Sequence, residues 1–391
     1  MLNSIELIDF KNHVATKIRL QRLTLLVGPN GAGKTSVLQG IALGAAALRD
    51  SRAIAPGGSD AALARRGSPG YRLSFAGDAL PDAGNNAGPI PWVLDVSSTD
   101  AVSFRLGGRK ADLGDRDGRL FADPPLVQEA RIAVGPARLL RLDAPRLAAP
   151  SFLGSVDAKL GHDGSGLAST IAHLMTYERE RFLALEQQLI ELVPSVVSIR
   201  VRRVEMNRPT RGTSTTQAGR LLALLDDKED ADHELVIGDE LVLDTRSGKE
   251  LPAAALSEGT LILLGLLTFL TEREPPRLLL IDDLDRSLHP RAQTQLIDVL
   301  RKTLDQHAGL QIVATSHSPY LIDELNDDEV WVLNLRDDGT AAAACLADHP
   351  DAERFRGVLR TGEFLTSVGE DWVISPTNSD KGDADAAGTD R

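Results

Sequence analysis

The chain has 391 residues, 42% of them hydrophobic and 25% charged, which is ordinary for a folded protein with room for two to three domains. A formal net charge of −13 argues against a surface that coats nucleic acid everywhere, although a local basic groove remains open. The single cysteine, Cys345, excludes an internal disulfide, and the longest apolar run, 261–270, is about half of what a membrane span needs. With no signal-like N-terminal stretch, the expectation is a cytoplasmic protein without a membrane span.

Residues 4–10, Ser-Ile-Glu-Leu-Ile-Asp-Phe, alternate as a half-buried strand does. After Phe10-Lys-Asn-His13 a second run around Ile18 and Leu20 leads into Leu23-Thr-Leu-Leu-Val27. Lys11 has two readings, a cation leaning on a ligand from this flap or a solvated lysine in a turn.

Gly28-Pro-Asn-Gly-Ala-Gly-Lys-Thr35 has the form G-x-x-x-x-G-K-[ST] between a strand and a helix beginning near Ser36, which is the context a phosphate-binding loop requires. Gly28, Gly31 and Gly33, with Asn30 between them, let backbone N–H groups turn onto phosphates at the positive end of the helix. Lys34 can reach the β- and γ-phosphates, the Thr35 hydroxyl can ligate Mg²⁺, and Ser36 continues the site into the helix. The chain is therefore expected to bind a nucleoside triphosphate, taken as ATP, with Mg²⁺.

Residues 45–125 are rich in Ala, Gly and Pro, with strand-like pieces at 71–75, 92–96 and 101–106, and read as an antiparallel β lobe. Gln128 follows it, either as a surface residue or as one that approaches the metal. Arg131, Arg138, Arg141 and Arg146 lie among apolar residues. The stretch 167–192 has apolar residues at a period near 3.6 and reads as one long helix ended by Pro194. Residues 196–204 alternate as a strand carrying Arg200 and Arg202, with Arg203, Arg208 and Arg211 nearby. This is either a patch for nucleic-acid phosphates or an ordinary solvated face. Residues 206–219 read as a loop, 221–225 and 234–244 as short elements, and 376–391 as a disordered tail.

Leu278-Leu-Leu-Ile-Asp-Asp283 reads as a buried parallel strand delivering two acids to its C-terminal edge. There Asp282 would hold the metal and Asp283 would orient or polarise the attacking water. Leu256-Ser-Glu-Gly-Thr260 opens a helix; Ser257 suits an N-cap, and Gly259 leaves N–H groups uncovered. Gln311-Ile-Val-Ala-Thr-Ser-His-Ser-Pro319 is a strand that ends by projecting His317, able to hydrogen-bond a γ-phosphate and sense its loss.

In that order these motifs resemble the ABC-type ATPase heads, and more closely the SMC/RecF/OLD-like branch, which shares the Phe-Lys-Asn-His flap and a segment ending Leu288-His-Pro290. The resemblance covers roughly 1–45 and 250–335. It implies an α/β P-loop NTPase fold with a mixed central sheet, an antiparallel β lobe and an inserted helical segment. The implied division is 1–130 for the first part of the head, 131–250 for the insertion, 251–375 for the rest of the head and 376–391 for the tail. It makes Lys34 and Thr35 phosphate and Mg²⁺ ligands, Asp282 the second metal-associated acid, Asp283 the catalytic acid and His317 the switch histidine. Ser257 and Gly259 become the signature that caps the γ-phosphate of the opposite subunit in an ATP-sandwiched homodimer.

The family usually has Glu where this chain has Asp283. The carboxylate should then sit about 1.5 Å further back, and a 1 Å misplacement can cost roughly 10²-fold, so slow hydrolysis is expected. OLD-like relatives carry a nuclease domain, but Asp337, Asp338, Glu370 and Asp371 read as turn and surface acids. The expectation is an ATPase that drives or gates a separate effector, a nuclease being one candidate, in a DNA-associated or antiphage process. A transporter ATP-binding subunit and a non-hydrolysing nucleotide-sensing scaffold are the alternatives.

Overall fold

Three apolar strands decide where the polar residues of this chain meet. A computed structural model describes residues 1–47, 63–79, 90–97, 102–106, 109–114, 131, 134–152, 159–209, 233–273 and 276–374. Gln128, Arg211, the 221–225 element and the 376–391 tail lie outside the described residues. The chain divides into two compact units, residues 1–141 with 274–391, and residues 142–273.

In the first unit, β1 (Leu2–Phe10) and β2 (His13–Arg19) pair antiparallel, as the flap requires, and β3 (Leu23–Val27) runs into α1 (Lys34–Ala47). Strands β4 (Arg72–Ala79), β5 (Ile90–Ser97), β6 (Val102–Leu106) and β7 (Arg109–Gly114) extend the flap sheet in the order β2-β1-β4-β5-β6-β7, all antiparallel. This is the expected β lobe.

The second sheet of the unit is mixed. It adds β8 (Ala137–Leu140), β12 (Leu278–Ile281), β13 (Gln311–Thr315), β14 (Val330–Leu335) and β15 (Ala341–Cys345) around β3, in the order β15-β14-β3-β13-β12-β8. Only β15 runs antiparallel. Every residue of β3, β12 and β13 is buried, as in mainly apolar strands covered on both faces, and this includes Thr24, Gln311 and Thr315. Each large apolar side chain so buried contributes roughly 1.5–3 kcal/mol, so these strands are fixed by their own packing and can carry unpaired polar groups at their ends. Leu26, Val37, Leu38, Leu280, Val313 and Leu333 share one core with the flap residues Ile5, Leu7 and Phe10.

The second unit packs α2 (Ala144–Ala148), α3 (Leu167–Tyr177), α4 (Arg179–Leu192) and α5 (Glu258–Leu270) with a sheet ordered β11-β10-β9. Strands β9 (Val196–Pro209) and β10 (His233–Thr245) form a long antiparallel ladder, and β11 (Gly248–Pro252) joins the other side of β10. Ser257 and α5, grouped by sequence with the 251–375 segment, fall in this unit.

The single helix expected over 167–192 is two. The break is at Glu178, whose φ of −133° and ψ of 53° are not helical. Glu178 stands where the apolar stripe would place its next member after Leu174, and a carboxylate cannot be buried there unpaired. It turns instead to Arg181 at 3.3 Å, Arg273 at 3.1 Å and His173 at 3.9 Å.

Candidate functional site

The C-terminal ends of β3, β13, β12 and β8 lie side by side, and each delivers polar residues to one edge of the sheet. From β3 comes the loop. Gly28 has φ 137°, and a Cβ there would stand 1.9 Å from the Leu333 carbonyl oxygen. Gly33 has φ 99°, and a Cβ would stand 2.6 Å from the His13 ring. Both positions demand glycine for backbone sign and for space. Asn30 is exposed at the loop tip, and Ser36 is half-buried in the first turn of α1.

The flap holds this loop from behind. Asn12 donates to the Gly31 carbonyl at 3.1 Å, and the buried His13 ring lies between Thr16 Oγ1 (3.0 Å) and the Gly33 carbonyl (3.2 Å). A carbonyl only accepts, so Nε2 carries the proton and Nδ1 accepts from the Thr16 hydroxyl. Burial pushes the His13 pKa down, partly offset by the Gly33 carbonyl. The sequence marked the Phe-Lys-Asn-His segment as a flap but not these two residues as the loop's support.

Lys11 has a left-handed backbone (φ 54°) and donates to Gln39 on α1. Its ammonium is pushed down by burial and then by the charge of Arg141.

Lys34 is buried and donates to the Gly28 and Pro29 carbonyls at 2.8 and 3.0 Å. Burial lowers its pKa against the opposing pull of Asp283, Glu370, Asp282 and Asp285, in that order. An ammonium held on its own loop's carbonyls, with four acids in range, is suited to exchange those carbonyls for phosphate oxygens. Glu370 therefore acts on the loop electrostatically, whereas Asp338 is the turn residue expected, accepting from Thr340 N at 2.9 Å.

The Thr35 hydroxyl donates to Asp282 at 3.0 Å (Oδ1) and 3.3 Å (Oδ2), joining the loop to the acid 247 residues later. Thr315, fully buried at the end of β13, donates to Asp282 Oδ1 at 2.9 Å and accepts from Asp283 N at 2.8 Å. One hydroxyl thus fixes the Asp282 carboxylate and the Asp283 backbone, a role that the Thr-Ser-His motif did not disclose. Asp282 is buried, while Asp283 is exposed and left-handed (φ 56°). Its carboxylate has no hydrogen-bond partner among the described residues. His317 is exposed, its N–H 3.3 Å from Asp285 Oδ1, which ties the two strand-end turns together.

In the second unit, Ser257 caps α5 as expected: its Oγ accepts from Thr260 N at 3.3 Å and meets Thr260 Oγ1 at 2.8 Å. Gly259 is buried in the first turn.

Of the two readings of the β9 arginines, the described side chains fit the solvated face, because each meets an acid. Arg200 meets Asp244 at 2.9 Å and Glu250 at 3.5 Å, Arg202 pairs with Glu240, and Arg203 lies 3.4 Å from Asp239. The β9–β10 register sets Arg202 opposite Glu240 and Arg203 opposite Asp239. These side chains are matched in charge across the two strands of the hairpin.

A strand–loop–helix phosphate cradle tied to a strand-end acid, with a mixed sheet and an antiparallel lobe, is the fold of a P-loop NTPase head. Solved structures agree on the fold. An SMC head bound to the C-winged helix domain of ScpA is similar over 90% of this chain and 99% of its own, at 16% identity and a TM-score of 0.54. The head domain of Smc from Pyrococcus furiosus, with an extended coiled coil and bound to the C-terminal domain of ScpA, is similar over 91% and 99%, at 14% identity and a TM-score of 0.53. The family model described as "AAA domain, putative AbiEii toxin, Type IV TA system" matches residues 23–323, and the chain belongs to that family. Among the described residues no helix is long and apolar enough to cross a membrane.

Proposed function

We propose that this chain binds and hydrolyses ATP with Mg²⁺, and that two copies close around two nucleotides. In that dimer, Ser257 and Gly259 of one copy would face the terminal phosphate held by the loop of the other. Closure would drive or gate a separate effector in a DNA-associated or antiphage process. The observation that carries the reading is the Thr35–Asp282 contact at 3.0 Å, which makes one site of two distant motifs.

The donor set fits Mg²⁺. A hydroxyl and a carboxylate are hard oxygen donors, and this ion is usually held by one or two such groups with substrate phosphates and water. Among the described residues no group of three His, Cys, Asp or Glu side chains could hold a metal alone, so the substrate's phosphates would complete the shell. Thr35 and Asp282 would hold the ion, which when bound neutralises phosphate charge. Lys34 would bind the β- and γ-phosphates, Asp283 would polarise the attacking water, and His317 would report the γ-phosphate. The family's description as "putative AbiEii toxin, Type IV TA system" supports a defence-related effector, and the SMC heads bound to ScpA support a separate protein partner.

One observation favours a second reading, a nucleotide sensor that scaffolds a partner: Asp283 is exposed, and its carboxylate has no hydrogen-bond partner among the described residues to aim it. Light scattering with and without Mg²⁺ and ATP tests dimerisation. The mass should double for the wild type and stay unchanged for Ser257→Arg, which still binds ATP; a wild type whose mass never changes overturns the sandwich. Single-turnover hydrolysis that is unaltered in Asp283→Asn favours the sensor.

A further inference from the structure

Strand β8 was not expected from the sequence, and it brings a fourth polar strand end to the site. Its last ladder pair is Leu140 with Ile281, and Asp282 N donates to the Leu140 carbonyl at 3.1 Å. The next residue on each strand is therefore Arg141 beside Asp282. The Arg141 Nε lies 3.6 Å from Asp282 Oδ2, the same oxygen that the Thr35 hydroxyl meets at 3.3 Å.

The two ends of this ion pair differ. The Asp282 side chain is 3% exposed, whereas that of Arg141 is 65% exposed. The carboxylate is held by Thr35 and Thr315 whether or not the arginine stays. The guanidinium is held by one long contact with most of its surface in water, an arrangement that costs little to break. Arg203 makes a pair of similar geometry with Asp239, at 3.4 Å and with side chains 74% and 3% exposed, so what sets Arg141 apart is its place: it shares Asp282 with the Thr35 hydroxyl at the end of the phosphate loop.

Arg141 is thus a loosely tethered cation, on a long stem, at the lip of the phosphate site. Lys11, on the flap, feels its charge. A guanidinium fork matches phosphate oxygens in pairs, which neither a lysine nor a glutamine side chain does.

We infer that Arg141 is a positioning residue for the nucleotide's terminal phosphate, moving from Asp282 onto that phosphate when a triphosphate occupies the loop. The inference rests on the ATP-binding reading above and adds to it a residue that separates triphosphate from diphosphate. Lys34 and the loop would hold both nucleotides; Arg141 would find a partner only in one.

The test compares ATP and ADP affinities, with Mg²⁺, by titration of fluorescent analogues into wild type, Arg141→Ala and Arg141→Lys. Arg141→Ala should weaken ATP by roughly 10- to 100-fold, the range for a hydrogen bond to a charged group, and leave ADP within about twofold. Arg141→Lys should recover part of the loss, because charge returns without the fork. A structural role would weaken both nucleotides together, and that result overturns the inference, as would unchanged ATP affinity in Arg141→Ala. A wild type that binds neither nucleotide removes the ATP-binding reading and the inference with it.

Discussion

Two regions of the molecule carry dense charge: the β9–β10 ladder of the second unit and the strand ends of the first. In the ladder every arginine with a described side chain faces an acid placed opposite or diagonally by the register. Glu250 N–H donates to Asp244, holding that carboxyl below the usual range, and the pattern closes on itself. At the strand ends the charges do not cancel pairwise. Lys34 sits on carbonyls, the Asp283 carboxylate has no hydrogen-bond partner among the described residues, and Arg141 shares its acid, Asp282, with two threonine hydroxyls. What separates a solvated face from a site is therefore the state of each charge's partner, and a count of arginines does not reveal it.

The sharpest way to break that contrast is at Thr315, the hydroxyl that both acids share. Thr315→Val should lower single-turnover ATP hydrolysis by roughly 10- to 100-fold, since misplacement near 1 Å has effects of that size. It should also lower the melting temperature by a few degrees, because a buried group left without its partner costs about 1–3 kcal/mol. Thr315→Ser keeps the hydroxyl and should restore most of both. A valine variant that melts and turns over like the wild type would mean the acids are held some other way.

The second test is on the flap. The folded-state pKa of His13 is depressed, so the neutral ring is the stabilising form. Its contribution should be fully present above about pH 6.5, the unfolded value, and lost as pH falls through the depressed folded value. Melting measured from pH 7.5 to 5 should show wild type losing stability relative to His13→Gln. Because the His349 pKa is also lowered, the difference between the two proteins is the informative quantity. Parallel curves would remove His13 from this role.

The smallest effect is expected on the ladder. Arg202→Ala should change stability by less than about 1 kcal/mol, as for exposed ion pairs, and leave nucleotide affinity unchanged. Duplex DNA titrated by fluorescence should give the same affinity for variant and wild type. A clear loss of DNA binding, steep in salt, would return this face to the list of phosphate contacts.

Much of the first unit was legible because its signals are local. The loop follows from glycine and lysine spacing, and β12 and β13 from apolar runs that end in polar residues. What was not legible depends on register. Ala137–Leu140 is a strand because it lies beside β12, yet Arg138 within it and Arg141 after it hide the apolar pattern. The arginines of β9 looked like a patch because their acids are more than 30 residues away and are aligned only by the ladder. Glu178 could have been read, since a carboxylate on the apolar stripe is a signal against one continuous helix. Thr315 and His13 were inside recognised motifs, but the partners that give them roles are the acids after β12 and the Gly33 carbonyl of the loop.

The left-handed backbone at Asp283 bears on its own identity. Asp and Asn enter that region several times more readily than most residues, because a short polar side chain sits there with less strain. A glutamate at 283 would extend the carboxylate, but it would have to adopt a turn that the shorter residue accepts more easily. Reach and backbone ease thus oppose each other at this one position, and the chain has settled on ease.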